Sequence, residues 1–192
     1  SIQETAEIKS SDWGKINDEE PICTAADETT GEVTCHVEIS NIAPTDTGTI
    51  VWTLQNVGDL RGYLTVVAAV SSDNGTDTEP ELTAVGEEGN LDLSDMVTVI
   101  LTKQVSGDEG NPDYLVGSKN VENGLVEPGL LKQVEDAFNG EDDVPMDEST
   151  TSTYTLVWEL PNTNSTLDNL AQGDTSTINL TFTLNQVENQ GR

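Results

Sequence analysis

The chain predicts an all-β fold, a two-sheet jelly-roll sandwich with a short helical insertion and an extended N-terminal arm. Three observations carry that expectation. The stretch from Thr177 to Asn185 alternates apolar and polar residues without a fault, the period of a strand with one buried and one wet face. Similar strand-like stretches recur five more times, separated by turn chemistry such as Pro44-Thr45-Asp46, Asn56-Val57-Gly58-Asp59, Asn74-Gly75 and Pro161-Asn162. A length of 192 residues suits one β-sandwich with a single core, and strands in this number with long connections fit a jelly roll.

Taken in order, the first ten residues set Ile2, Ala6 and Ile8 on one face and Gln3, Thr5, Glu7 and Lys9 on the other, with Glu4 interrupting the apolar row. Ser10-Ser11-Asp12-Trp13-Gly14 then cuts this stretch off, so residues 1–14 form an arm and 15–192 the jelly-roll body. Glu32 to Ser40 places Val33, Cys35, Val37 and Ile39 on one face, and Thr49 to Gln55 does the same with Ile50, Trp52 and Leu54. Tyr63 to Val70 is apolar on both faces, which predicts a central strand. Met96 to Thr102 presents Val97, Val99 and Leu101, and Tyr154 to Leu160 presents Tyr154, Leu156, Trp158 and Leu160. The last strand presents Ile178, Leu180, Phe182 and Leu184, a row expected to line the core or the groove that an incoming strand closes.

The insertion at about 104–151 is too long for a structureless loop. Within it Pro128 to Asn139 reads as a helix packed across one end of the sandwich. Proline stands near its start, Leu131, Val134 and Phe138 share a face at helical spacing, and Gly140 marks the exit.

Charge and composition restrict the function classes. Asp and Glu number 36 against 7 Lys and Arg, for a formal charge of −29, and the acids are spread from Glu4 to Glu188. Such a surface repels itself in ordinary buffer, whereas in molar salt the screening length falls to about 3 Å. The composition therefore matches a protein that works in concentrated salt, with an acidic secreted protein as the alternative. Nucleic acid is excluded as a partner, since nothing here neutralises a run of phosphates. No stretch approaches the ~18 apolar residues of a membrane span.

Cys23 and Cys35 flank the turn-rich segment 24–34. A disulfide closing it is the simplest arrangement and implies an oxidising, extracytoplasmic compartment; two unrelated thiols are the alternative. The chain begins at Ser1, which leads to the expectation of a cleaved leader and secretion. N-x-S/T sequons at Asn74, Asn164 and Asn179 are candidate glycosylation sites that fit a cell-surface protein, with Asn179 on the polar face of the last strand.

Candidate chemistry is sparse. A zinc peptidase needs at least two imidazoles, and the only histidine is His36; no nucleophile-elbow sequence accompanies it. No catalytic residue is assigned, and no cofactor is expected. Hard cations take oxygen ligands, so Asp108, Asp113, Asp142 and Asp143 are the calcium candidates, although no EF-hand pattern is present and acidic loops are commonly solvated surface. The arm has two readings from its pattern: an edge strand of its own sheet, or a strand donated into a neighbouring subunit.

The run Val37-Glu38-Ile39-Ser40-Asn41-Ile42-Ala43-Pro44-Thr45-Asp46, followed by a strand and then Asn56-Val57-Gly58, resembles the first half of the TasA/camelysin family. There an Asn-Leu-x-Pro-Gly-Asp turn leads into a strand ending in an Asn/Gly loop. Leu170-Ala171-Gln172-Gly173-Asp174 with the strand Ile178 to Leu184 is similar to the family's closing Tyr-Gln-Gly turn and Phe-x-Phe strand. Thr45 stands where the family has glycine, Ala171 where it has an aromatic, and the arm lacks an aromatic residue. The resemblance implies a secreted jelly-roll protein assembled into extracellular fibres or pili of biofilms, in which the N-terminal strand of one subunit completes the sheet of the next. Its partners would be further copies of itself, other filaments or a cell surface. Some family members are described as metallopeptidases, an activity this chain's single histidine does not support. A monomeric surface binding module or S-layer-associated adhesin, using Trp13, is the alternative.

Overall fold

The computed structural model describes residues 2–10 and 15–16 as backbone, and 23–24, 27, 30–73, 92–108, 110–120, 122–140, 143–163 and 174–186 with their side chains. In chain order the elements are β1 (Ile2–Ser10), β2 (Lys15–Ile16), β3 (Glu32–Ser40), β4 (Thr47–Asn56), β5 (Gly62–Asp73), α1 (Leu93–Met96), β6 (Thr98–Val105), β7 (Asp113–Val116), β8 (Ser118–Lys119), β9 (Val126–Glu127), β10 (Gly129–Leu130), α2 (Gln133–Asn139), β11 (Val144–Met146), β12 (Thr151–Glu159) and β13 (Thr175–Gln186).

Two antiparallel sheets hold the sandwich. One runs β1-β4-β12-β6-β10, with β7 also paired to β6; the other runs β11-β5-β13-β3-β2. From β3 to β6 the strands alternate between the sheets, β7 joins the sheet of β6, and β11, β12 and β13 alternate again, with β7 and β11 in the two outer positions. The orders β11-β5-β13-β3 and β7-β6-β12-β4 are those of a jelly roll. The all-β sandwich expected from the alternation is thus the observed fold.

The alternation also assigns the faces. Val33, Cys35, Val37, Ile39, Ile50, Trp52, Leu54, Val99, Leu101, Tyr154, Leu156, Trp158, Ile178, Leu180, Phe182 and Leu184 are all buried. Each fully buried aliphatic or Phe side chain contributes about 1.5–3 kcal/mol, so these rows dominate the stability of the body. Tyr154 stands between Phe138 of α2, at 5.4 Å between ring centroids, and Phe182 of the opposite sheet, at 5.9 Å. Trp158 lies flat over Gly48, its register partner in β4. A Cβ built at Gly48 would meet the indole at 2.6 Å, so no side chain fits there without moving the ring.

Three expectations are corrected. The helix begins at Gln133, not near Pro128, because Gly129 and Leu130 pair with Val99 and Thr98 and are taken into the sheet. It does not cross one end of the sandwich but lies along β5. Asn139 Oδ1 accepts from the Ala68 amide at 2.9 Å, Asn139 Nδ2 donates to the Ala68 carbonyl at 3.0 Å, and Glu135 Oε2 accepts from the Val70 amide at 2.9 Å. Thirdly, β5 is not buried on both faces. It lies between β13 and the three-residue β11, and its outward row leaves Val67 57% exposed, while the central strands are β12 and β13. A run apolar on both faces reports composition, not which strands stand beside it.

Candidate functional site

The arm is seated on its own chain. β1 forms one edge of its sheet, antiparallel to β4 over its whole length, from Ile2 opposite Asn56 to Ser10 opposite Gly48. The apolar positions Ile2, Ala6 and Ile8 pair with Asn56, Trp52 and Ile50, positions of β4 whose side chains are buried in the sandwich. Ala6, a small residue, thereby stands in register with Trp52, the largest residue of β4. Glu4 pairs with Leu54, so a glutamate interrupts an otherwise apolar row, a feature that limits how strongly an edge strand adheres.

The seat itself is built rigidly. Ahead of β4, buried Asp46 accepts from the Ala43 amide through Oδ2 at 2.7 Å, while its amide donates to the Ala43 carbonyl at 2.9 Å. The Thr45 amide donates to Leu160 at 2.7 Å and the Leu160 amide returns to Asp46 at 3.0 Å. Thr45 itself has φ +83°, the left-handed region in which glycine is free of strain. At the far end, fully buried Asn56 donates through Nδ2 to the carbonyls of Leu60 (2.9 Å), Met146 (3.0 Å) and Asp147 (3.3 Å) and accepts from the Gly58 amide at 3.0 Å. A buried amide with both ends satisfied fixes its surroundings. These two knots clamp β4 at both ends, and neither role is legible beyond a turn signal in the sequence.

The electrostatics favour strand pairing here. β4 carries no charged residue, and β1 carries Glu4 and Glu7 against Lys9. In a chain of net charge −29 this pair of strands is close to neutral, so the charges carried by the two strands themselves set up little repulsion between them.

The other expected sites fall elsewhere. Ile178, Leu180, Phe182 and Leu184 lie on β13, which pairs with β3 and β5 in the opposite sheet; they are core, and the strand beside the arm is β4. Cys23 and Cys35 form the disulfide, which fixes the chain leading out of the arm to β3. Asn179 is on the outward face of β13, its Oδ1 2.9 Å from His36 Nδ1. Asn74, Asn164, Trp13, Asp142 and the turn 170–173 lie outside the described residues. Of the calcium candidates, Asp108 accepts from the Gly110 amide at 3.1 Å, Asp113 lies 3.9 Å from Lys103 Nζ, and Asp143 accepts from Thr65 at 2.7 Å. Each therefore has its own local contact, and among the described residues no group of three or more His, Cys, Asp or Glu side chains converges. Two shallow clefts, about 190 and 330 Å³, contain one carboxylate each, Asp108 and Asp136. No described helix is long and apolar enough to cross a membrane.

Fold and edge together define the class: a jelly-roll sandwich whose sheet is completed by a strand preceding the body. No protein-family model matches the chain, and no curated protein matches it either.

Proposed function

We propose that this chain is the structural subunit of an extracellular filament or pilus, polymerising by insertion of its N-terminal strand into the next subunit. The observation that carries this reading is the pairing of β1 along β4, a nine-residue ladder at the edge of the sheet. Main-chain hydrogen bonds contribute about 1 kcal/mol each and each buried isoleucine about 1.5–3 kcal/mol. The same ladder formed between subunits is strong enough to hold a fibre.

Several further features support it. Thr45 adopts the left-handed conformation at the position where the resembled TasA/camelysin turn carries glycine. The Asn56-Val57-Gly58 loop is fixed by a buried asparagine, a physical reason for that residue type in the motif. The disulfide fits an oxidising extracellular setting. The acidic composition fits concentrated salt, where repulsion between neighbouring subunits is screened. Glycan at Asn179 would stand on the outward face of β13, away from β4.

A second reading, a monomeric surface binding module, is favoured by one observation: the arm already completes the sheet of its own chain. Electron microscopy of the intact protein at molar salt, beside a variant lacking residues 1–14, separates the two. Continuous fibres from the intact chain and folded monomers from the truncated one are expected. Monomers from both would sink the filament reading, and fibres from both would sink strand donation.

A further inference from the structure

We infer that the groove on β4 that holds the arm within one chain is the seat that receives the arm of a second copy, in the same register. The single chain is then a self-capped subunit, and assembly is an exchange of arms. This rests on the filament reading and adds to it the acceptor strand, the register and the reason that free subunits do not join at once.

The four sheet edges decide which strand receives. The β5 edge is occupied by β11 at Gly62 to Leu64 and by Asn139 and Glu135 at Ala68 and Val70. The β6 edge carries β10 at Thr98 and Val99 and β7 at Leu101 to Lys103. β7, β10, β11 and α2 all lie between β6 and β12 in the chain, so none can leave its edge without opening a connection inside the body. The β3 edge holds the two-residue β2, just before the segment that the disulfide pins to β3. β1 differs from all of these. It precedes every other described strand, and moving it to another copy leaves every connection within the body as it was.

Within one chain the arm competes as a tethered segment, at an effective concentration on the order of millimolar. Its contacts with β4 are the same in either arrangement, as in any exchange of identical elements. What tips the balance is therefore whatever else the subunits gain or lose on meeting. With −29 on each chain the loss is repulsion, and salt removes most of it. Exchange is accordingly expected in concentrated salt and suppressed in dilute buffer.

The register supplies the test. Directly opposed residues of antiparallel strands stand about 4.5–5.5 Å apart at Cα, inside the range that a disulfide spans. Thr5 is opposed to Thr53 and Glu7 to Val51. A chain carrying Thr5→Cys with Thr53→Cys is oxidised either before or after transfer to molar salt, and a second carrying Glu7→Cys with Val51→Cys guards against one pair misfolding. Oxidation before transfer should lock the arm at home and abolish fibres, with assembly restored by reductant under which wild-type still assembles. Oxidation of preformed fibres should give a ladder of covalent multimers on denaturing gels. Fibres whose cross-links remain within single chains would overturn the shared seat while leaving the filament reading intact. Cross-linked closed dimers without fibres would uphold the seat and sink the filament; monomers under all conditions would sink both.

Discussion

Two edges of this sandwich are closed in opposite ways. Along β5, the exposed backbone is satisfied by particular side chains: Asn139 takes both polar groups of Ala68, and Glu135 takes the amide of Val70. Along β4, closure comes from a whole strand in continuous register. The first closure is held by a helix whose Val134 and Phe138 are buried in the core. The second is held by a segment joined to the body through the disulfide-fixed chain at Cys23. An unpaired edge is a template for association, and the difference teaches that one edge is closed by side chains of a helix rooted in the core and the other by a strand at the margin of the sheet.

The comparison is broken most severely by removing what anchors the fixed side. Phe182 lies in the aromatic contact that joins the sheets beneath α2, and Phe182→Ala is expected to cost about 3–5 kcal/mol by denaturant unfolding. Deleting residues 1–14 should instead leave a body that still unfolds in one cooperative transition. A truncated chain without such a transition would show that β1 is as integral as β13.

A smaller effect marks the boundary between the two regions. Replacing both Cys23 and Cys35 by serine removes a cross-link spanning 12 residues, worth about 3 kcal/mol in the chain-entropy model. The thermal midpoint should fall. An unchanged midpoint would mean that the segment ahead of β3 is held by other means.

Asn139→Ala tests the fixed edge alone. It strips the Ala68 amide and carbonyl of their partners, at about 1–3 kcal/mol, and should speed amide exchange at Ala68 more than at residues of β12. Equal protection before and after would sink the idea that the side chain closes this edge.

The smallest expected change is a gain. Thr45→Gly relieves a left-handed residue at the start of the β4 seat, and the strain released, less the added freedom of the unfolded chain, is about 1 kcal/mol. A lower thermal midpoint would show that the threonine side chain contributes more than its backbone conformation costs.

Much of this architecture is legible in the residues. Side chains on a strand alternate at a period of two, so the rows of β3, β4, β6, β12 and β13 could be assigned to the core from local pattern alone, and all are buried. The spacing of the two cysteines around a turn likewise pointed to their pairing. The helix start was misplaced because Gly129 and Leu130 satisfy the same local pattern whether they begin a helix or add to a sheet, and β6 decides for the sheet. The central position expected of β5 failed for a related reason: its outward Val67 and Ala69 are apolar by composition but are exposed in the structure.

The sequence by itself determined that this is an all-β protein, which face of each long strand is buried, and that the chain is strongly acidic. Each of these is set by neighbouring residues or by composition. Only the tertiary structure decided that β13 is a central strand, that the arm lies beside β4 and not beside the row Ile178 to Leu184, and that Asn56, Asp46 and Asn139 are structural knots. Most of those facts depend on partners far along the chain: Asn56 reaches Met146, 90 residues on, Asn139 reaches Ala68, 71 residues back, and β13 pairs with β3 from the other end of the body. A strand carries the pattern of its own faces but no record of which edge it will find.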